Sequence, residues 1–198
     1  MLTTVVIPVK SFAMGKRRLA GFVDSSARAQ LGRALAGHVA STVADAGLVP
    51  LVVTADSEVA EWSTRSGFPS LPDPELGLDE AARVGVDWVR HASPAWLVLH
   101  ADLPLLSVAD VRAVVSDLDN HGGVIAPSAD GGTSAIGSHD ALRFSFGVSS
   151  FHRHLRRLGQ PGVVARRGLL LDIDAPQDLS AAANTPEGRW IGELVGRN

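Results

Sequence analysis

Hydrophobic positions along the chain follow two alternating rhythms. Continuous apolar runs are typical of strands buried on both faces, and they predict strands over residues 3–9, 48–54, 95–100 and 123–127. Between these runs, apolar side chains recur at helical spacing, which predicts helices over residues 25–46, 57–66, 78–91 and, capped by Ser107, up to about residue 120. Strands that alternate with helices in this way are typical of an α/β fold, a mainly parallel sheet within a three-layer α/β/α architecture.

The pattern is less regular beyond residue 127. Residues 130–133 predict a turn or hairpin, and residues 145–150 predict a loop that enters a helix near residues 151–158. We expect late strands over residues 163–166 and 169–173, followed by two short helices. Because no linker or repeat interrupts the chain, we expect residues 1–198 to form a single domain.

Composition narrows the possible functions. The formal net charge of −3 provides no general basic field for nucleic acid or for an anionic membrane. The absence of cysteine excludes disulfides, thiolate catalysis and cysteine-ligated metal sites. No apolar stretch approaches the roughly 20 residues of a membrane helix, and the N-terminal run lacks the features of a signal peptide. We therefore expect a soluble, cytoplasmic protein.

The loop after the first strand gathers positive charge, with Lys10, Lys16, Arg17 and Arg18 close together beside a glycine. Ligands of open α/β sheets bind where loops leave the carboxyl ends of strands, and cations there can neutralise phosphate charge. The segment matches neither the P-loop nor the Rossmann glycine motif, so it predicts a polyphosphate cradle of another kind. A solvated basic loop is the structural alternative.

Asp102 follows the predicted strand at residues 95–100. A carboxylate held just past a buried strand can bind Mg²⁺ that bridges the phosphates of a nucleotide, because hard cations prefer oxygen ligands. The alternative is a turn residue ahead of Pro104.

Two more carboxylates, Asp172 and Asp174, lie in a segment that we expect to be extended. Treating them as pointing to opposite sides of that segment, we expect only one, Asp174, to face the metal, because it is nearer the end of the strand. A helix start with Pro176 in its first turn is the structural alternative.

Two loops between these carboxylates could bind a substrate. Residues 131–134 offer backbone N–H groups and hydroxyls, and residues 146–151 lead into a helix whose N-terminus can receive an anion. Ser149 or Ser150 could equally serve as a plain helix cap.

Two other motifs fit functional roles poorly. His152 and His154 would diverge by about 200° on a helix, so they do not make a zinc pair. Asp117 and Asp119 resemble a glycosyltransferase D-x-D motif but fall late in a predicted helix.

In combination, these segments resemble the 2-phospho-L-lactate guanylyltransferase family, whose bacterial members include phosphoenolpyruvate guanylyltransferases. The similarity keeps one order along nearly the whole chain. Its matching segments are Pro8-Val9-Lys10, Lys16-Arg17-Arg18-Leu19, Asp102-Leu103-Pro104, Gly132-Thr133, Phe146-Gly147-x-x-Ser150-Phe151-x-x-His154 and Asp172-x-Asp174-x-Pro176-x-Asp178-Leu179.

The resemblance implies a fold, a reaction and a cofactor. The fold would be the Rossmann-like one of nucleotide-diphospho-sugar transferases, shared with molybdenum-cofactor guanylyltransferase-like nucleotidyltransferases. The reaction would transfer GMP from GTP to a small phosphorylated acid with release of pyrophosphate, in biosynthesis of the deazaflavin coenzyme F-420. The acid would be 2-phospho-L-lactate, phosphoenolpyruvate or a phosphoglycerate, and the cofactor would be Mg²⁺.

The resemblance also implies residue roles. The catalytic residues would be Lys16, Arg18, Asp102 and Asp174. The nucleotide would be bound by Pro8, Val9, Lys10, Lys16, Leu78, Asp79 and Asp102. The phosphorylated acid would be bound by Thr133, Gly147 and Ser150, and the metal by Asp102 and Asp174.

The chain departs from the family pattern at two positions. Asp79 stands where the family usually has Asn, and Ser134 stands where it again usually has Asn. Asp79 could accept hydrogen bonds from guanine or cap the following helix. The nucleotide and the acid are therefore less firmly implied than the class of reaction.

Other functions remain open from the sequence. One is nucleotidyl transfer to a different phospho-acid or to a phosphonate, with CTP as an alternative nucleotide. The others are a GT-A-like glycosyltransferase and a nucleotide-binding regulatory domain. The partners that we expect are small molecules, GTP and a phosphorylated acid, without nucleic acid or membrane. The sequence is also compatible with a homodimer.

Overall fold

The computed structural model describes residues 3–196, which are built around a seven-stranded sheet. Its strands are β1 (Thr4–Pro8), β2 (Val49–Thr54), β3 (Ser70–Pro72), β4 (Trp96–Leu99), β5 (Gly123–Pro127), β6 (Thr133–Ser138) and β7 (Gly162–Val163). The spatial order is β3-β2-β1-β4-β6-β5-β7. Strand β6 pairs antiparallel with β4 and β5, and the remaining pairs are parallel. The expected mainly parallel sheet is confirmed.

Helices cover both faces of this sheet. They are α1 (Ser25–Asp45), α2 (Ser57–Arg65), α3 (Leu78–Arg90), α4 (Val108–His121), α5 (Ser150–Leu158), α6 (Arg167–Leu170), α7 (Pro176–Ala183) and α8 (Arg189–Leu194). Helices α1, α2 and α4 pack on the face that carries Val5 and Ile7, whereas α3 packs on the opposite face, which carries Val6. Three layers follow from this alternation, because successive side chains of a strand point to opposite faces. None of the helices within residues 3–196 is both long enough and apolar enough to cross a bilayer.

A separate core cluster joins the two C-terminal helices to α1. Its buried members are Leu19, Leu31, Leu35, Ile173, Leu179, Ala182 and Ile191. Leu19 belongs to the basic first loop, and Ile173 lies between the two late carboxylates. The same apolar core therefore holds both segments in place.

Local sequence signals explain several helix starts. The Asp24 side chain caps α1 by accepting a hydrogen bond from the backbone N–H of Ala27 at 2.9 Å. Ser107 and Asp110 form a reciprocal capping box at the start of α4, which confirms Ser107 as its cap.

The second half of the chain differs from expectation. Strands β3 and β6 were not expected, and the expected strand at residues 163–166 is reduced to the two residues of β7. The expected strand at residues 169–173 was wrong, because Arg167–Leu170 form the short helix α6 and residues 171–174 have no regular structure. A short apolar run does not distinguish a buried strand from one buried helical turn.

Candidate active site

An open cleft of about 540 Å³ lies where loops leave the carboxyl ends of β1 and β4. This volume is within the range of about 300–1,000 Å³ that is usual for small-molecule sites. The cleft brings together eleven of the twelve residues for which the sequence predicted a role. They are Pro8, Val9, Lys10, Lys16, Arg18, Leu78, Asp102, Thr133, Gly147, Ser150 and Asp174.

Three carboxylates converge on one wall of the cleft. Asp102, Asp172 and Asp174 each offer an oxygen, and these oxygens lie within 4.8 Å of one another. A backbone hydrogen bond fixes the approach, since the N–H of Ile173 donates to the carbonyl oxygen of Asp102 at 3.1 Å. Carboxylates 70 residues apart in the sequence, as Asp102 and Asp172 are, are thereby held at one point.

The expectation that only one of Asp172 and Asp174 faces this point was wrong. Residues i and i+2 of an extended segment lie on the same side, because the side-chain period is two. Asp172, which we had assigned to the opposite side, therefore contributes an oxygen together with Asp174.

Lys16 lies directly against these carboxylates. Its Nζ is 2.6 Å from Oδ2 of Asp102 and 3.7 Å from Oδ1 of Asp174. Arg18 approaches the other Asp174 oxygen at 3.5 Å. Lys16 has a left-handed backbone with φ of 53°, which is uncommon for a residue other than glycine and is found more often at functional sites. The following Leu19 is fully buried and anchors this turn.

Crowding of like charges changes the ionisation of this wall. Burial, and then the charges of Asp102 and Asp174, raise the pKa of Asp172 to about 7. Burial opposes the charge of Asp102, but Lys16 and His100 outweigh it, so the pKa of Asp102 stays below its ordinary value. Burial likewise opposes the Lys16 ammonium, yet its carboxylate neighbours raise the pKa of Lys16. The Lys16 ammonium and the more exposed Arg18 guanidinium thus compensate the three acidic groups only in part.

The carboxylate cluster fits a divalent cation. Oδ1 of Asp102 is buried and has no hydrogen-bond partner among residues 3–196, which is costly for an ionised oxygen. A hard cation that prefers oxygen ligands would satisfy this atom and would offset the excess negative charge.

A second part of the cleft lining, the hydroxyl wall, carries the hydroxyl groups of Thr133 and Ser150 in a hydrogen-bond network. Oγ1 of Thr133 lies 3.0 Å from Oγ of Ser150 and 3.0 Å from Nδ1 of His154. His154 is fully buried, and its Nε2 accepts a hydrogen bond from the backbone N–H of Ser145 at 2.9 Å. Ser150 therefore uses its hydroxyl within this network.

The loop that enters helix α5 contains two residues with positive φ angles. Gly147 has φ of 103°, a conformation that side chains rarely adopt, and Ser149 has φ of 55°. Ser149 occupies the cap position of α5 but makes no side-chain cap bond.

Asp79 has a contact that the sequence did not suggest. Its Oδ1 accepts a hydrogen bond from the backbone N–H of Phe146 at 2.7 Å, while the neighbouring Leu78 lines the cleft. The start of α3 is thereby tied to the loop that precedes Gly147.

Sequence reasoning missed several residues at the site. His154 was included in the Phe146–His154 motif and rejected as a zinc ligand, but it was given no role at the site. His100 also lines the cleft; its ring packs 5.2 Å from Phe146, and its buried Nε2 has no hydrogen-bond partner within the described part of the chain. Asp117 and Asp119 lie late in α4, as predicted.

A mainly parallel sheet, with a basic loop after β1 and three carboxylates converging beside it, gives an α/β protein with a site suited to the phosphates of a nucleotide. Solved structures share this fold. A nucleotidyl transferase from Methanothermobacter thermautotrophicus is 17% identical, with a TM-score of 0.66, and 100% of this chain and 99% of that one are covered. A Mycobacterium tuberculosis protein in complex with manganese is 17% identical, with a TM-score of 0.56, and 91% and 97% of the two chains are covered.

The chain belongs to the family described as "Guanylyl transferase CofC like", whose family model matches residues 3–182. A phosphoenolpyruvate guanylyltransferase from Sphaerobacter thermophilus is 35% identical over 95% of this chain and 96% of its own length. A 2-phospho-L-lactate guanylyltransferase from Methanopyrus kandleri is 32% identical over 90% of each chain. A 3-phospho-D-glycerate guanylyltransferase from Phenylobacterium zucineum is 29% identical over 98% of this chain and 95% of its own.

Proposed function

We propose that this protein transfers GMP from GTP to a small phosphorylated acid and releases pyrophosphate, as a step in biosynthesis of the deazaflavin coenzyme F-420. The observation that carries the proposal is the cleft itself, which is lined both by the three carboxylates with Lys16 and by the hydroxyl residues Thr133 and Ser150. The relatives named above are guanylyltransferases of three phosphorylated acids, phosphoenolpyruvate, 2-phospho-L-lactate and 3-phospho-D-glycerate. We infer that the acceptor belongs to this chemical class.

In the proposed reaction, an oxygen of the acid's phosphate attacks the α-phosphorus of GTP. A new P–O bond forms as the bond to the β-phosphate oxygen breaks, and pyrophosphate leaves with that electron pair. A phosphate monoester has its second pKa near 6, so the nucleophile is already mostly ionised at neutral pH. The chain therefore needs no general base, and its task is to position two anions and to offset their repulsion.

Repulsion between the substrates sets the demand for positive charge. Two like charges 4 Å apart repel by roughly 4 kcal/mol at an effective dielectric of 20. Lys16 and Arg18 project from the first loop towards the carboxylates, within reach of a phosphate bound beside them. Lys10 is exposed at the cleft wall and would contact the polyphosphate farther out.

Asp102, Asp172 and Asp174 would hold a divalent cation, which we propose is Mg²⁺. When bound, the ion would supply charge stabilisation to the phosphate oxygens. Each of the three aspartates offers one carboxylate oxygen to the ion, and Oδ1 of Asp102 has no other partner among residues 3–196.

The two substrates would occupy different parts of the cleft. The nucleoside would lie along Pro8, Val9 and Leu78, which line one part of it. A direct contact of Asp79 with guanine stays a prediction, since one of its oxygens already accepts from Phe146. The acid would bind to Thr133, Gly147 and Ser150. We also propose that residues 1–198 act as a single domain; the homodimer stays a prediction.

A pyrophosphate-release assay tests the proposal. Four nucleoside triphosphates are each combined with phosphoenolpyruvate, 2-phospho-L-lactate and the phosphoglycerates, and the product mass is measured. We expect release with GTP and one of these acids, and a product that contains GMP. Release only with CTP would show that the nucleotide substrate is CTP and not GTP. Formation of free nucleoside diphosphate from a sugar nucleotide would instead indicate a glycosyltransferase. No release with any pair would refute the proposed function.

A further inference from the structure

His154 is buried behind the hydroxyl residues Thr133 and Ser150, and both of its ring nitrogens have defined partners. Its Nε2 lies 2.9 Å from the backbone nitrogen of Ser145, and its Nδ1 lies 3.0 Å from Oγ1 of Thr133. A backbone N–H can only donate, so Nε2 must accept and carries no hydrogen.

The imidazole is therefore neutral, with its hydrogen on Nδ1. Burial, reinforced by the positive charges of Arg157 and Arg153, lowers the pKa of His154 to about 4, although Asp79 acts in the opposite direction. With the hydrogen on Nδ1, His154 donates to Thr133, whose hydroxyl oxygen accepts.

The tautomer decides how many hydroxyl hydrogens face the cleft. The hydroxyl groups of Thr133 and Ser150 carry two hydrogens in total, and one of these hydrogens is used in the 3.0 Å contact between their oxygens. Because His154 donates, it consumes neither of them, and one hydroxyl hydrogen is left for a ligand. Were Nδ1 to accept instead, both hydrogens would be used within the network, and only lone pairs would face an incoming anion.

We propose that His154 is a positioning residue, which leaves one hydroxyl hydrogen of the Thr133–Ser150 pair free to donate to an oxygen of the phosphorylated acid. Both hydroxyl residues line the cleft, whereas His154 lies behind them and does not line it. The ligand favoured by this arrangement offers acceptors only, as an ionised phosphate or carboxylate does. The inference rests on the proposed function, since it assigns the acid to this wall.

Two substitutions separate the contacts of His154. In His154→Gln, the amide can reach the position of Nε2 and still accept from Ser145, but it has no donor at the position of Nδ1. In His154→Asn, the amide nitrogen can replace Nδ1 and donate to Thr133, but the contact with Ser145 is lost. His152→Gln is the matched control, because His152 is exposed on the same helix two residues away.

Steady-state kinetics, thermal melts and ¹⁵N NMR of the imidazole together form the test. We expect His154→Gln to raise KM for the acid about 10- to 100-fold, the scale of a hydrogen bond to a charged group, with KM for GTP unchanged. We expect His154→Asn to keep KM for the acid within about threefold of the wild type while it lowers Tm. In a Thr133→Val background, His154→Gln should raise KM no further.

The NMR readout does not depend on turnover. We expect a hydrogen on Nδ1 and none on Nε2 in the wild-type protein at pH 7. A hydrogen on Nε2, a charged imidazole, or equal increases of KM for acid and GTP in both variants would overturn the inference while the proposed function stands. A wild-type protein that neither binds nor converts any phospho-acid would overturn the proposed function, and with it the acid-orienting role.

Discussion

The two walls of the cleft handle polarity in opposite ways. The carboxylate wall is electrostatically incomplete: three acidic groups face Lys16 and the more exposed Arg18, and a buried Asp102 oxygen has no hydrogen-bond partner among residues 3–196. The hydroxyl wall is complete in the sense that Thr133, Ser150 and His154 each already have a hydrogen-bond partner, and one hydroxyl hydrogen remains for a ligand. We therefore expect one wall to require a bound cation, whereas the other is preorganised by the fold.

This difference predicts how each wall responds to substitution. Loss of a group from the incomplete wall should affect the binding of a cation and the rate of the reaction. Loss of a group from the complete wall should affect mainly the binding of the acid, because its hydrogen bonds are already made in the free protein.

The largest effect is expected at Asp102. Asp102→Asn removes the charge that faces both Lys16 and the proposed cation, so we expect kcat to fall by at least about 10³-fold, roughly 4 kcal/mol. Pyrophosphate release at saturating GTP and acid is the measurement, with circular dichroism to verify folding. Asp119→Asn, at an exposed position of α4, is the matched control and should keep wild-type activity. Full activity of Asp102→Asn would contradict the account.

Asp172 distinguishes a three-carboxylate site from the two-carboxylate site that the sequence suggested. Asp172→Asn should weaken binding of Mn²⁺, used as a probe, and slow turnover by about 10- to 100-fold. Titration calorimetry with Mn²⁺ measures the first effect independently of the reaction. Unchanged Mn²⁺ binding would restrict the site to Asp102 and Asp174.

Ser150 and Ser149 are neighbours with contrasting expected effects. Ser150→Ala removes a hydroxyl from the complete wall, and we expect KM for the acid to rise about tenfold, or 1.4 kcal/mol, with kcat little changed. Ser149→Ala should leave KM unchanged, because the Ser149 side chain makes no cap bond. Equal effects of the two substitutions on KM would show that the wall does not recognise the acid through the Ser150 hydroxyl.

A smaller effect is expected on stability in mild acid. The folded pKa of His154, about 4, is below its ordinary value of 6.5, so between these values the unfolded chain binds a proton that the folded protein does not. The stability contribution of neutral His154 is therefore complete above pH 6.5 and is lost as pH falls towards 4. The slope from this one group is at most about 1.4 kcal/mol per pH unit.

Urea unfolding at several pH values from 7 to 4.5 measures this slope. His154→Asn should flatten the decline, whereas His152→Asn, at the exposed neighbour, should preserve it. An equally steep decline in His154→Asn would show that other groups cause the acid sensitivity.

Much of the first half of the fold could be predicted from the sequence, because most of its strands are continuous apolar runs and the helices α1 and α2 begin at capping aspartates. Strand β6 was missed because residues 133–138 are rich in serine and glycine, which have weak β-propensity. Position 137 favours glycine, because a Cβ there would lie only 2.8 Å from the carbonyl oxygen of Trp96 on the neighbouring strand. Such a requirement exists only after β4 and β6 have paired.

The site residues divide in the same way. Lys16 and Asp102 follow the strands β1 and β4, so their approach could be expected from topology, whereas the strand expected before Asp174 is the helix α6. The role of His154 depends on which atoms meet its two ring nitrogens, and no spacing along the chain encodes that. Asp172 was misassigned because the period of an extended segment was applied incorrectly, not because the sequence lacked the information.

The central claim is that Asp102, Asp172 and Asp174 bind a divalent cation beside Lys16. Crystals grown with GTP and Mn²⁺, measured at the manganese absorption edge, test it most directly. We predict an anomalous peak coordinated by oxygens of these aspartates and by phosphate oxygens of the nucleotide. A nucleotide bound in the cleft with no peak at these carboxylates, or with manganese held elsewhere, would contradict the account.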